Sequence, residues 1–186
     1  NEEYKRIGDS LFIEEKFDEL IEYFENELKT DPENEKILRW IGYGHFAKNN
    51  FDLGIKYYSD ALVVNQKCAK CYVNIALMYF QKGDNKKALE NLNKAIDIDS
   101  EKAIYYSYQA QTKEVLKDQF GALMDHHKAI KLDPDNFALY LQRGYYNKNS
   151  GYPSLAISDF TKAIELTPKS YEPYYGRELV YYDEQR

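Results

Sequence analysis

The sequence predicts an all-α fold in which pairs of helices repeat along the chain. The same residue types recur every 34 positions across 186 residues, with no insertion or deletion. Within each period, apolar residues are spaced three and four apart, as on one face of a helix. Gly and Pro recur between these faces, where helices break or end. A fixed period of this length indicates a solenoid of stacked helix pairs.

Three columns of residues share the step of 34. One contains Gly or Ala in the first five repeats, the second is large and mostly aromatic, and the third is Ala in the second to fifth repeats. Their members are Gly8, Gly42, Ala76, Ala110 and Gly144; Tyr4, Leu38, Tyr72, Tyr106, Tyr140 and Tyr174; and Ala61, Ala95, Ala129 and Ala163. Small residues let two helix backbones approach closely, and large side chains fill the space beside each contact. Because one helix pair cannot cover its own apolar face, neighbouring pairs must stack.

The third repeat shows how each unit divides into two helices. A first apolar face runs from Tyr72 to Tyr79, and Gly83 then breaks the pattern. A second face runs from Ala88 to Ile96. Proline cannot continue a helix, and it closes other repeats at Pro32, Pro134 and Pro168. We therefore expect eleven helices in a single array over residues 1–186: five pairs over 1–34, 35–68, 69–102, 103–136 and 137–170, and a capping helix over 171–184.

These columns resemble the tetratricopeptide repeat family over residues 1–184. The signature is carried by Leu38, Ile41 and Gly42; by Tyr72, Ile75, Ala76, Tyr79, Ala88, Leu92 and Ala95; and by Tyr140, Gly144, Ala156, Phe160, Ala163 and Pro168. The resemblance implies a right-handed superhelix whose first helices line a concave groove, where ligands of the family usually bind. The carboxylate clamp of the chaperone-tail binders within the family is missing, because Lys5, Lys70 and Asn74 match only parts of it.

The family's groove positions select a set of residues that is rich in aromatic side chains and locally basic. Rings of this type are common at binding hot spots. We therefore expect a groove for a peptide with apolar side chains and an acidic group. The groove residues implied by the resemblance are Lys36, Arg39, Trp40, Tyr43, Phe46, Lys70, Asn74, Phe80, Tyr108, Gln111, Gln142 and Tyr145.

Composition excludes several classes of partner. The formal net charge is −6, which argues against nucleic acid, whose phosphates are held mainly by Lys and Arg. The sequence contains no run of about 18 apolar residues, so it predicts no membrane-spanning helix. The compartment stays open: the composition favours the cytoplasm, and a periplasmic or secreted chain without its signal peptide would look the same.

Cysteine and histidine patterns predict neither catalysis nor a metal site. Cys68 and Cys71 form a single C-x-x-C near a helix start, and no second pair supplies the two further ligands of a zinc site. A redox or disulfide role stays open beside a structural role in the turn. His45 lies in a packing column, whereas His126 and His127 point about 100° apart on one helix. We expect no enzyme and no cofactor.

Some residues depart from the family pattern. Glu27 replaces an Ala, and polar side chains replace apolar ones at Gln109, Lys113, His126, Arg143 and Asn147. Arg177 and Glu178 replace the large and small pair of the last helix, which predicts a solvated cap. Two alternatives to a peptide-binding scaffold stay open. The chain could be a docking or regulatory domain of a larger enzyme or sensor, or it could self-associate through Leu179, Val180, Tyr181 and Tyr182.

Overall fold

A computed structural model of the chain describes residues 2–185. Over these residues the fold is all-α, with eleven helices and no strand, as the sequence predicts. No helix in the same range is long and apolar enough to cross a membrane. The helices are α1 (Glu2–Ile13), α2 (Phe17–Thr30), α3 (Glu35–Ala47), α4 (Phe51–Val64), α5 (Ala69–Gln81), α6 (Asn85–Ile98), α7 (Ala103–Val115), α8 (Gln119–Leu132), α9 (Phe137–Asn149), α10 (Pro153–Leu166) and α11 (Glu172–Glu184).

The helices form two compact units, Asn1–Ser100 with α1 to α6 and Glu101–Arg186 with α7 to α11. In the first unit each helix packs against the next, from α1 to α6. In the second unit α7 packs on α8 and α9 on α10, while α11 covers α9 and α10. The sequence predicts that both units belong to one continuous array over residues 1–186. This stays a prediction.

The turn inside every helix pair has the same backbone conformation. The residue at its centre has a positive φ, and these residues also recur every 34 positions. They are Glu15 (56°), Asn49 (60°), Gly83 (79°), Lys117 (65°) and Gly151 (81°). In each case the next amide donates to the carbonyl five residues earlier, as Asp84 N does to Tyr79 O at 2.9 Å. This is the Schellman ending of a helix, which needs one left-handed residue. The Gly83 break predicted from sequence is one case of a general rule.

The small columns are the points of closest helix contact. Every member of the Gly/Ala column and of the Ala column is buried. The second unit shows the reason at Phe160, whose buried ring lies against both Gly144 and Gly176. A Cβ atom at either glycine would come within 2.8 Å or less of that ring. Large side chains on the second helices therefore fill the space that the small residues leave open.

The last helix departs from the predicted register. Its small contact residue is Gly176, two positions before the place held by Glu178. Tyr174, expected in the large packing column, is 39% exposed. Arg177 is half-buried and donates to Thr161 Oγ1 at 3.3 Å, so the prediction that it forms a solvated cap is wrong for this residue. α11 therefore packs against α9 and α10 in a register of its own.

The polar departures from the repeat pattern are paired with one another. Arg143 donates to Asp159 through Nε at 3.0 Å and Nη2 at 2.6 Å, and Asn147 donates to the same carboxylate at 2.8 Å. Lys113 lies 2.7 Å from Asp125. Because buried polar groups are costly without partners, Arg143, Asn147 and Lys113 on first helices are each matched by a carboxylate on the second helix.

Two further departures follow the same rule. His126 Nε2 lies 2.8 Å from Glu114 Oε1, and its ring packs 5.3 Å from that of Tyr146. In the first unit Tyr4 donates to Glu27 Oε2 at 3.0 Å, which explains a carboxylate in a column of alanines. This hydrogen bond also raises the pKa of the Tyr4 hydroxyl. The His126 ring and the Glu27 carboxylate therefore each have a partner on an adjacent helix.

The Asp159 carboxylate is the acceptor on which the buried pair in the second unit depends. Asp159→Ala leaves the Arg143 guanidinium and the Asn147 amide without their acceptor, and we expect the free energy of unfolding to fall by about 3–5 kcal/mol. Glu165→Ala is the matched control, because the Lys162–Glu165 pair on the same helix is exposed. Its expected cost is below about 0.5 kcal/mol. Urea denaturation measures the free energy of unfolding of both variants. An equal decrease in Asp159→Ala and Glu165→Ala would contradict the pairing argument.

The left-handed turn position gives a second prediction. Lys117 carries a side chain at φ 65°, a conformation that costs an L-residue roughly 1–2 kcal/mol, so Lys117→Gly should stabilise the chain by about 0.5–1 kcal/mol. Gly83→Ala should change stability in the opposite direction by a similar amount, although nothing within 4 Å would clash with the new methyl group. Thermal melting of the two variants checks the signs, and a destabilised Lys117→Gly would contradict the argument.

Candidate functional site

A cavity of about 860 Å³ lies in the first unit, between α1, α3 and the start of α5. Half of its lining residues are groove residues expected from the sequence, and all six come from α3 and α5. They are Lys36, Arg39, Trp40, Tyr43, Lys70 and Asn74. The second, fifth, sixth and ninth positions of a first helix lie on one side of it, because residues three and four apart share a helical face. The helix register therefore brings these six side chains to one place.

Trp40 forms an aromatic wall of the cavity and is also part of the core. Its indole stacks on Phe24 with ring centroids 5.6 Å apart and planes at 5°, and it meets the Tyr43 ring edge-on at 6.1 Å. A Cβ atom on Gly8 would lie only 2.4 Å from the indole, so α1 approaches closely because residue 8 is glycine. Trp40 is thus held rigidly, half-buried, with part of its surface facing the cavity.

Basic groups outnumber acidic groups around the cavity. Four basic and two acidic side chains line it. Arg39 is paired, because its Nη1 donates to Glu35 Oε1 at 3.0 Å. Lys36 and Lys70 are exposed and have no ion-pair partner among residues 2–185. The strongest attraction for an anion therefore comes from the two lysines, with Arg39 adding the guanidinium donors that Glu35 does not use.

Three aromatic lining residues were missing from the predicted groove: Tyr4, Phe12 and Tyr58. Tyr58 comes from α4 and lies beneath Gly42, where a Cβ atom would be 2.9 Å from its ring. Burial raises the pKa of its hydroxyl. A signal for Tyr58 exists in the sequence, because it shares a column of large residues on the second helices, with Phe24, Leu92, His126 and Phe160. The groove positions implied by the resemblance lie on first helices alone, so they do not include this column.

The other six predicted groove residues do not line this cavity. Phe46 packs against Phe51 at 6.1 Å, and Phe80 is half-buried on α5. Four lie in the second unit, where Gln142 accepts from Ser107 at 2.5 Å and the Tyr145 ring meets Phe160 edge-on at 5.1 Å. Tyr108 and Gln111 are half-buried on α7. The groove function of these six residues stays a prediction.

The end of the chain is less apolar on its surface than the sequence indicated. Val180, expected to contribute to a self-association surface, is buried against α10 with 1% exposure. Tyr181 and Tyr182 are exposed, and so is Tyr175. Of the surface of Leu179, Val180, Tyr181 and Tyr182 that the sequence suggests, the exposed part is mainly the two tyrosines, whose hydroxyl groups make it wetter than an apolar patch.

Cys68 and Cys71 form a disulfide at the start of α5. Both are buried, and Cys68 Sγ accepts from the Cys71 amide at 3.2 Å as the N-cap of the helix. Glu35 of α3 lies beside them, with its Oε1 4.0 Å from Cys71 Sγ. The disulfide role that the sequence left open is therefore the one that the structure shows.

The three histidines lie in different surroundings. His45 is buried in α3, and its ring stacks on Tyr57 at 5.5 Å with planes at 11°. Its position in the core is as predicted, and its Nδ1 has no hydrogen-bond partner among the described residues. His126 is paired with Glu114 in the second unit, and the neighbouring His127 is exposed.

Comparison with protein families finds the tetratricopeptide repeat twice. One match covers residues 69–102 and the other residues 137–170. Both ranges coincide with repeats that the sequence register defines, and they begin at the first residue of α5 and of α9. No curated protein matches the chain in sequence.

Solved structures share the fold along most of the chain. MamA is 23% identical with a TM-score of 0.77, covering 88% of this chain and 95% of MamA. TTC0263, a TPR protein of Thermus thermophilus, is 17% identical with a TM-score of 0.77, covering 96% and 97%. YrrB, described as a TPR protein with an unusual peptide-binding site, is 21% identical with a TM-score of 0.70, covering 88% and 84%. At these identities the likeness shows the fold alone.

The buried imidazole of His45 makes stability depend on pH. Desolvation lowers its pKa, with Lys48 acting in the same direction and Glu25 opposing. The unfolded chain therefore takes up the proton at a higher pH than the folded chain. Stability is full above the ordinary pKa of 6.5 and falls as the pH drops below it. His45→Phe keeps the stack on Tyr57 and should lose this part of the pH dependence. The free energy of unfolding of both proteins is measured between pH 5 and 8. The same pH dependence in His45→Phe as in the unmodified protein would contradict this assignment.

Proposed function

The chain is a tetratricopeptide repeat protein, and we propose that it is a non-catalytic scaffold that binds a peptide segment of a partner protein in the cavity of its first unit. Proteins of this family generally act as interaction scaffolds, and their fold indicates that role here. The observation that supports the location is that six residues placed at groove positions by the family resemblance line one cavity.

The size and lining of the cavity suit an apolar side chain of a peptide. A volume of about 860 Å³ is at the upper end of the range for ligand sites, roughly 300–1,000 Å³. Trp40 and Tyr43 offer rigid ring surface that loses little conformational entropy on binding. An apolar anchor packed against these rings would supply most of the affinity.

The charge at the cavity favours an acidic group beside that anchor. Lys36 and Lys70 are exposed cations without an ion-pair partner in the described part of the chain, and Asn74 next to them offers an amide. Charged groups at the rim of a site act mainly on specificity and association rate, and salt screens them. The proposed ligand is therefore a segment with one apolar anchor and a neighbouring Asp or Glu.

Two alternatives describe other uses of the same scaffold. As a docking or regulatory domain of a larger enzyme or sensor, the chain would use the same cavity for an intramolecular or substrate segment. Self-association would instead use the exposed tyrosines of α11. Light scattering separates self-association from the proposal, since a peptide-binding monomer keeps its mass at all concentrations.

The test uses paired peptides and the single tryptophan as the reporter. Because Trp40 is the only Trp and lines the cavity, binding there should change its fluorescence. The probes are an array of 12-residue peptides, each with one Leu or Phe flanked by Asp or Glu, and matched copies with Asn or Gln. We expect the acidic member of a pair to bind about three- to tenfold more tightly at low salt, as two weak ion pairs allow. Lys36→Ala/Lys70→Ala should remove that difference without changing the melting temperature.

The control variant is Lys86→Ala, an exposed lysine on α6 outside the cavity, which should leave the discrimination intact. Arg39→Ala/Lys70→Ala should also weaken the acidic peptides. Trp40→Ala is unsuitable as a test, because removing the stack on Phe24 would also destabilise the core. Equal binding of acidic and amide peptides to the unmodified protein would contradict the charge part of the proposal. No peptide response from Trp40 would contradict the location.

A further inference from the structure

Three potential metal ligands converge at the start of α5, outside the lining of the cavity. One ligand atom each from Glu35, Cys68 and Cys71 lies within 4.8 Å of the other two. Cys68 and Cys71 are 7% and 0% exposed, and the Glu35 side chain is 17% exposed. Glu35 comes from α3, a full repeat earlier in the chain, so stacking of the repeats brings the carboxylate to the sulfurs.

The local geometry suits thiolates once the disulfide is open. Two electrons and two protons from a dithiol reductant cleave the Cys68–Cys71 bond and leave two thiols, while the reductant becomes a disulfide. The Cys71 amide already points at Cys68 Sγ, at 3.2 Å, and the N-terminus of a 13-residue helix favours negative charge. Rotation about χ1 of either cysteine then separates the sulfurs without moving the backbone.

The carboxylate is held in place for a third bond. Arg39 Nη1 donates to Glu35 Oε1 at 3.0 Å, and the same oxygen faces Cys71 Sγ at 4.0 Å. A carboxylate has two oxygens with two lone pairs each, so Glu35 can keep Arg39 and still bind a cation. Hydrogen-bonded partners of this kind orient the ligands of metal sites.

We propose that the reduced chain binds one thiophilic divalent cation, such as Zn²⁺, through the two thiolates and the Glu35 carboxylate. Sulfur and carboxylate ligands of zinc lie at about 2.3 Å and 2.0–2.2 Å, so a shift of roughly 1 Å closes the group around the ion. Binding releases the two thiol protons, and one coordination position is left for water. Because buried thiolates are costly without a counter-charge, the ion and the reduced state stabilise each other.

The experiment uses Co²⁺ as a spectroscopic substitute for zinc on the whole chain. The protein is reduced with a water-soluble phosphine, which leaves as its oxide with oxygen from water. We expect one Co²⁺ per chain, a thiolate-to-cobalt charge-transfer band, the visible bands of a tetrahedral ion, and loss of all bands when Zn²⁺ is added. The oxidised protein should show none of them. Glu35→Gln should weaken Co²⁺ binding about tenfold or more, whereas Glu33→Gln, an exposed glutamate nearby, should bind as the unmodified protein does.

Three results would overturn the proposal: no thiolate band after reduction, the same band in the oxidised protein, or undiminished affinity in Glu35→Gln. Circular dichroism accompanies each titration. If reduction or a substitution lowers the helical signal, Zn²⁺ must restore it in the reduced unmodified chain, since the site exists only when α3 and α5 are stacked. Failure to restore the signal also overturns the proposal. These readouts are independent of peptide binding, so the groove and the metal site can fail separately.

Discussion

The close contact between small residues on first helices and large side chains on neighbouring helices is the constraint on which the structure depends. Gly144 and Gly176 leave room for Phe160, Gly42 leaves room for Tyr58, and Gly8 leaves room for Trp40. Since protein interiors are packed as densely as organic crystals, each gap is filled by one particular ring. The helix spacing that results determines which side chains reach the cavity.

Most of the polar departures in this packing are paired across two helices, whereas the buried His45 Nδ1 has no hydrogen-bond partner among the described residues. Arg143 and Asn147 on α9 share the Asp159 carboxylate of α10, and His126 faces Glu114 across the preceding helix pair. A lone replacement of this kind would leave a buried group without a partner, which costs more than the hydrogen bond returns. The second unit therefore departs from an apolar repeat without losing its fold, because Arg143, Asn147, Lys113 and His126 are each paired with a carboxylate on the adjacent helix.

Periodicity predicted the helices, and the family resemblance implied half of the cavity lining; both failed where the relevant contact lies outside the period. Columns of Gly and Ala located the helix contacts. The family's groove positions on α3 and α5 located Lys36, Arg39, Trp40, Tyr43, Lys70 and Asn74. Repeat spacing contains no information on the pairing of Arg39 with Glu35, nor on that glutamate's approach to Cys71. α11 also leaves the register, because its close contact with Phe160 is made at Gly176. Prediction from a repeat is therefore strongest for the positions that define the period and weakest for contacts between individual side chains.

In the proposed function the rings of the cavity would serve stability and recognition together, and this would limit how recognition can be tuned. Trp40 stacks on Phe24 and packs over Gly8, so changing the indole to suit another ligand would disturb the contact between α1 and α3. Lys36 and Lys70 are exposed and carry no such role, which leaves them open to substitution at little cost in stability. A ring surface fixed by core packing, beside a rim whose charge can vary, would let the proposed peptide site discriminate between partners. Specificity in this chain should therefore reside in the lysines, with affinity in the rings.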